Sequence, residues 1–245
     1  MQGRPVKSAL RTLEVLELFM EHRRPLRLNE IYQKLNYPQS SATYLLKSML
    51  RMGYLNYNRR DRTYLPTVRV SALGNWLSGY IYTDDTYQSL VDELQKLTDE
   101  TVALASQNDL FIQYIILKSP EHEFKFPPPL GTMRAVVDSS SGLALMSKMS
   151  EPAIEKICRY TNYYNISEKP VSINEVMNQV NRVRETGYAY LRNKPIPEVS
   201  SISVALDETL HNIPLAIGVG GFAERIEKEK SSIVAHIKET IARIW

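Results

Sequence analysis

Three arginines crowd into four residues, Arg59-Arg60-Asp61-Arg62, inside a segment that alternates in polarity over 54–64. Guanidinium groups at a hairpin tip suit phosphate oxygens, to which they donate charge-assisted hydrogen bonds. Just upstream, Gln39, Ser40, Ser41, Thr43, Tyr44 and Lys47 fall between apolar residues in a helical rhythm. Amides and hydroxyls meet base edges, and short side chains let a helix sit deep in a major groove. The plainer alternative for such a face is a solvated helix surface.

A second group lies farther along. Asp138-Ser139-Ser140-Ser141-Gly142 precedes the apolar run Leu143-Ala144-Leu145-Met146. It reads as a helix start, whose first backbone N–H groups lack partners within the helix and favour an anion such as a carboxylate. Asp138 or one of the serines would equally serve as the helix cap. Ser201 and Ser203 alternate on a β-rich segment, which puts both hydroxyls on one face. Gly218 and Gly220 sit in another such segment, where the missing side chains admit a ligand or a neighbouring element.

Catalytic constellations are missing from the sequence. The four histidines, His22, His122, His211 and His236, have no metal-ligand spacing. There is no Gly-x-Ser-x-Gly elbow, phosphate-binding loop or dinucleotide fingerprint. No enzyme is expected, and no catalytic residue, metal or cofactor is assigned. The competing class is a protein-interaction module, in which the 15 tyrosines serve contacts with other proteins.

The elements that position these residues follow from periodicity. A first helix is predicted over 8–21, with Leu10, Leu13, Leu16, Leu18 and Phe19 as its apolar positions. Leu28, Ile31 and Leu35 mark a second helix at i, i+3 and i+7. Asn36-Tyr37-Pro38 breaks it, because a residue before proline is pushed out of the helical region. Pro38 then opens a third helix, where its missing N–H costs nothing. Ala42, Leu45, Leu46 and Met49 face inward there, so the polar set faces outward. Gly53 ends that helix and the arginine-tipped hairpin follows. Helix, turn, helix and hairpin make the plan of a winged helix-turn-helix DNA reader.

Helices over 70–82 and 87–98 would join this head to the rest. They either pack on their own domains or act as a dimer contact and lever. Beyond them, strands are expected at 102–107, 111–117, 133–137, 188–192, 200–206 and 215–222. Helices are expected at 139–149, 151–160, 173–186 and 223–244, with Gly187 as a C-cap. Pro127-Pro128-Pro129 is a rigid extended piece. This order predicts an α+β domain on an antiparallel sheet. The expected partition is 1–70, a DNA-binding head; 71–98, a helical linker; and 99–245, a second domain.

Charge supports that division. Residues 1–78 hold 13 Lys and Arg against 5 Asp and Glu, a net of +8, while the whole chain is +3. The remainder is therefore −5, an acidic body behind a basic head that phosphate attracts. A single cysteine, Cys158, excludes an internal disulfide. No apolar run reaches the length of a membrane helix, and the first residues lack a secretory leader. A cytoplasmic protein is expected.

The N-terminal segment, from VKSALRTLEVLELFMEHRRPLRLNEI through the Pro38 helix to Gly53-Tyr54-Leu55 and the wing, resembles the IclR family of bacterial transcriptional regulators. LVDELQKLTDETVALA, GTMRAVVDSSSGLALMSKM, VNRVRETGYAY, IPEVSSISVAL and IPLAIGVGG resemble the family's later blocks, in order. The resemblance implies a GAF-like effector domain. Its pocket would be lined by Ser139, Ser140, Ser141 and Gly142, and by Ser201, Ser203, Gly218 and Gly220. It also implies a double-stranded DNA operator, a homodimer or dimer of dimers, and a small organic acid, aromatic acids included, as effector. Repression is the default expectation. The chain departs from the family pattern at Tyr44, often an arginine, and at Ala135, Val137, Asp138, Glu198, Ser201 and Ala205.

Overall fold

The computed structural model describes residues 6–81, 85–120, 131–194 and 196–245. Pro127-Pro128-Pro129, His122 and Tyr82 lie outside them. The chain divides into two compact units, Met1–Tyr80 and Ile81–Trp245.

The first unit runs α1 (Lys7–His22), β1 (Leu26–Arg27), α2 (Leu28–Lys34), α3 (Gln39–Arg51), β2 (Leu55–Asn58), β3 (Thr63–Pro66) and α4 (Val68–Ile81). Val15, Leu18 and Phe19 of α1 join Leu26, Ile31, Leu46, Met49, Leu55 and Tyr64 in one core. The apolar assignment within α1 needs correction. Leu10 and Leu13 are exposed, together with Val6 and Met20. At 3.6 residues per turn these four lie opposite Val15, Leu18 and Phe19, so α1 is apolar on two faces and only one meets the core.

Helix α2 starts where the Glu30 carboxylate accepts the Arg27 backbone N–H at 2.8 Å. Arg24 holds the same carboxylate at 2.6 Å. Asn36, in the left-handed region at φ 54°, carries the turn to α3. Gly53, at φ +78°, ends the next stretch as expected. The two-residue β1 went unpredicted, because it exists only through pairing with β3, Leu26 to Tyr64 and Arg27 to Thr63.

The second unit starts with α5 (Asp85–Thr98), β4 (Thr101–Asn108), β5 (Phe111–Lys118) and β6 (Met133–Ala135). After a 3-10 turn at Val136–Asp138 come α6 (Ser140–Met146), α7 (Glu151–Tyr163), α8 (Ile173–Thr186) and β7 (Ala189–Arg192). It closes with β8 (Val199–Leu210), β9 (Ile213–Phe222), α9 (Ala223–Lys228) and α10 (Lys230–Ile244). The strands form one antiparallel sheet in the order β6-β5-β4-β9-β8-β7.

Helices cover both faces of that sheet. Leu104, Ile202, Ile217 and Val219 pack with Leu90 and Leu94 of α5 and Ile233 and Ile237 of α10. Ala105, Ala189, Leu191 and Ala216 pack with Leu143 of α6, Ile154 of α7 and Val180 of α8. Neighbouring residues such as Leu104 and Ala105 go to opposite layers, as the two-residue period of a strand requires. Double coverage explains why Val102 to Ala105 of β4 form an unbroken apolar run. The predicted linker helices go to different units: α5 buries Tyr87, Leu90, Val91 and Leu94 in the second core.

Among the boundaries that differ from expectation, three stand out. The strand predicted over 133–137 stops at Ala135, because Val136 and Val137 both enter the same core layer and no strand can turn consecutive side chains to one face. The long closing helix breaks at Glu229 into α9 and α10. Strands β8 and β9 extend to a tight hairpin at His211-Asn212, both with positive φ. That geometry is a type I′ turn, and asparagine at the second position was its faint sequence signal.

Candidate functional site

Helix α3 buries Ala42, Leu46 and Met49 and presents the remainder outward. Gln39, Ser40, Tyr44 and Lys47 are exposed, while Ser41 and Thr43 are half-buried. The Thr43 hydroxyl donates to the Gln39 carbonyl at 2.8 Å, so its hydrogen is spent within the helix. Ser48 does the same toward the Tyr44 carbonyl at 2.9 Å.

The wing is a β2–β3 hairpin whose loop, Arg59 to Arg62, is built by Asn58. The Asn58 Oδ1 accepts the Arg60 N–H at 2.9 Å and the Asp61 N–H at 3.3 Å. Its Nδ2 donates to the Asp61 carboxylate at 2.8 Å. The one acid in the loop is thus held by an amide. Arg59, Arg60 and Arg62 are exposed, and no carboxylate pairs with them among the described residues. A helix face of amides and hydroxyls and a tip of three available guanidiniums occupy one small unit.

In the second unit, α6 and strands β4, β8 and β9 line a partly open cavity of about 110 Å³. Six of the eight predicted residues line it: Ser140, Ser141, Ser201, Ser203, Gly218 and Gly220. Register brings them together, because Ser201 pairs with Gly220 and Ser203 with Gly218 across the β8–β9 ladder. Ser140 donates to Ser201 at 2.8 Å, and its Oγ lies 2.7 Å from that of Ser203. Ser141 Oγ lies 3.1 Å from Ser203 Oγ. A side chain at Gly218 would start 2.6 Å from Ser203 Oγ, so only glycine leaves this hydroxyl floor open.

Ser139 and Gly142 are not in the lining. Ser139 is the N-cap, its Oγ accepting the Gly142 N–H at 2.9 Å. Gly142 sits against the Val136 carbonyl, whose oxygen would be 1.9 Å from an added Cβ. Both hold α6 in place rather than face the cavity. Asp138 does not cap the helix; it ends the 3-10 turn.

Residues that the sequence did not single out complete the lining, among them Glu100, Tyr114, Arg134, Lys194 and Phe222. Glu100 is almost fully buried and pairs with Arg225 at 2.9 Å. Its carboxylate lies over Gly221, where a Cβ would approach within 2.2 Å. Arg134 and Lys194 have no carboxylate partner among the described residues. No local signal marks these positions; the sheet gathers them from distant segments. With Glu100 answered by Arg225, the lining favours a negatively charged occupant.

A larger groove, of about 630 Å³, lies between α8, α10 and the middle of β8. Its cations are already engaged. Lys148 pairs with Asp207 at 2.8 Å, Arg184 donates to the Ser147 and Met149 carbonyls, and Lys238 donates to the Thr186 carbonyl. The smaller cavity is the better site. Cys158 is buried in the core, and desolvation pushes its thiol upward, which suits an inert side chain.

A winged helix-turn-helix followed by a pocketed, GAF-like α+β domain defines a DNA-binding regulator with an effector-binding domain. The chain belongs to the IclR family of bacterial transcriptional regulators: residues 8–59 match the IclR helix-turn-helix domain, and residues 85–244 match the bacterial transcriptional regulator IclR C-terminal domain. It is 22% identical to the HTH-type transcriptional regulator KdgR of Escherichia coli K12 over 184 residues, 75% of this chain and 70% of KdgR. It is 20% identical to the regulator XynR of the same organism over 226 residues, 91% of this chain and 88% of XynR. The fold matches the IclR crystal structure of Thermotoga maritima with a TM-score of 0.71 at 17% identity, covering 97% and 98% of the two chains. The family and both relatives are regulators, not enzymes. Among the described residues no helix is long and apolar enough to cross a membrane.

Proposed function

We propose that this chain is a one-component bacterial repressor that releases its operator when a small organic acid enters the second domain. The observation that carries the DNA half is the pairing, in one unit, of an exposed polar α3 face with three wing arginines that meet no carboxylate among the described residues. Gln39, Ser40, Ser41, Thr43, Tyr44 and Lys47 meet base edges, and Arg59, Arg60 and Arg62 grip phosphates or reach the minor groove from the wing. The head spans 1–70, helices over 71–98 connect it, and 99–245 receives the effector. A reader of this type meets successive major grooves as a dimer. The exposed apolar row of Val6, Leu10, Leu13 and Met20 on α1 supports self-association, as a dimer or a dimer of dimers. It acts where bacterial DNA lies, in the cytoplasm.

The cavity supports a small acid as effector. It is well below the roughly 300–1,000 Å³ of drug-sized sites. Arg134 and Lys194 supply positive charge, and the serine floor supplies hydroxyls. Ser139 and Gly142 serve the site from behind by setting the start of α6. The effector acts only through different affinity for the DNA-bound and free forms.

Fluorescence polarisation tests this directly, with the full chain, its own upstream DNA and a scrambled duplex over a salt series. The reading expects preference for the upstream DNA on top of a steep salt slope. Binding to neither duplex at low salt would overturn it and favour an interaction module. Screening small acids against the bound complex then tests the effector.

A further inference from the structure

We infer that Tyr44 is a specificity-determining residue that packs its ring on the 5-methyl group of a thymine in the major groove. This rests on the operator-binding reading above. Tyr44 lies at the middle of α3 and is 72% exposed. At about 100° per residue it stands nearly opposite Ala42, Leu46 and Met49, which anchor the helix in the core. It therefore projects from the centre of the outward face, not from a flank.

Its neighbours leave the ring uncovered. Ser40, one turn earlier, is small. Ser48, one turn later, turns its hydroxyl back to the Tyr44 carbonyl. Tyr54, Tyr57 and Tyr64 of the same unit each stack on a ring or a cation, whereas no such contact engages Tyr44 among the described residues. That leaves an aromatic face, held on a rigid helix amid serines, open to a partner.

The chemistry of the groove names that partner. Outward side chains in the N-terminal half of a recognition helix face base edges, and Tyr44 is the sixth of the 13 residues of α3. Base edges there present donors and acceptors, and the one apolar group is the thymine methyl. Gln39, Ser40 and Lys47 can satisfy polar edges. The Tyr44 hydroxyl can reach one as well, but its ring adds an apolar face whose complement at a base edge is the methyl. Burying one methyl changes affinity by about fourfold, so two heads on a symmetric operator give about fifteenfold.

The experiment uses the full chain. Duplexes are enriched from a random pool with the wild-type protein, and deoxyuridine then replaces thymine at each position of the enriched motif. One symmetric pair of positions should lose about fifteenfold. Tyr44→Ala should remove that difference, binding the thymine and uracil duplexes alike, and Tyr44→Phe should keep it. Uracil tolerated everywhere, or a thymine preference that survives in Tyr44→Ala, overturns the inference while leaving DNA reading intact. Loss of the preference in Tyr44→Phe also overturns it, because the hydroxyl and not the ring would then carry the contact. If no duplex is enriched, the operator reading fails and takes this inference with it.

Discussion

Arg60→Ala is the cleanest probe of the wing. The loop is shaped by Asn58, which accepts the backbone N–H groups of residues 60 and 61. The Arg60 side chain contributes nothing to that turn, so alanine leaves its geometry in place. Arg62, at φ 54°, is a poorer choice, because alanine there keeps a strained backbone. Each phosphate neutralised adds about −0.9 to the slope of log affinity against log salt. A dimer presents Arg60 twice, so the variant should flatten the slope by about 1.8. Between about 50 and 200 mM salt, wild type should then lose about twelvefold more affinity than the variant. Polarisation titrations of both proteins on operator and scrambled duplexes measure this. The variant should weaken both duplexes by the same factor, since phosphates carry no sequence. An unchanged slope, or weakening confined to one sequence, would refute the phosphate role.

Three other outcomes are expected. Gly218→Ala places a methyl 2.6 Å from Ser203 Oγ, so ligand-induced release should disappear while operator affinity holds; a retained response would move the effector elsewhere. Gly142→Ala drives a Cβ to 1.9 Å from the Val136 carbonyl oxygen, which must displace backbone. Urea unfolding should show a loss of about 3 kcal/mol or more, and a loss below about 1 kcal/mol would contradict the packing. The Glu30 carboxyl is held low, first by its hydrogen bond from Arg24 and then by the Arg27 N–H. Its contribution is complete above the ordinary carboxylate range and disappears as pH falls through the lowered value. Glu30→Gln should therefore flatten the acid limb of stability against pH; an identical limb in both proteins would show that the contact does not persist in solution.

Helices α2, α3 and α8 were legible because their signals are local. An apolar stripe at a 3.6-residue period, a proline before α3 and a glycine after α8 each act within one or two turns. Gly187 takes φ 78° as its C-cap role requires. Helix α1 misled for the same reason. Both of its faces carry apolar residues, and only packing against Leu26, Ile31 and Leu46 distinguishes the buried one. The strand over 133–137 was overextended because residue preference cannot foresee that Val136 and Val137 share one buried layer.

At the candidate site the sequence displayed residue types without their partners. It exposed the serines and glycines that line the cavity and the arginines of the wing. It also determined by itself the basic head and acidic body, the order of the elements and the polar character of the α3 face, because composition and periodicity are properties of neighbours along the chain. Tertiary structure alone decided that Ser201 faces Gly220 and Ser203 faces Gly218, and that Ser139 caps α6 instead of lining the cavity. It also brought Glu100, Arg134 and Lys194 into the lining of one cavity. Strand register and layer assignment arise from contacts between residues far apart in sequence, whose closure is settled by burying the whole sheet and not by any local preference.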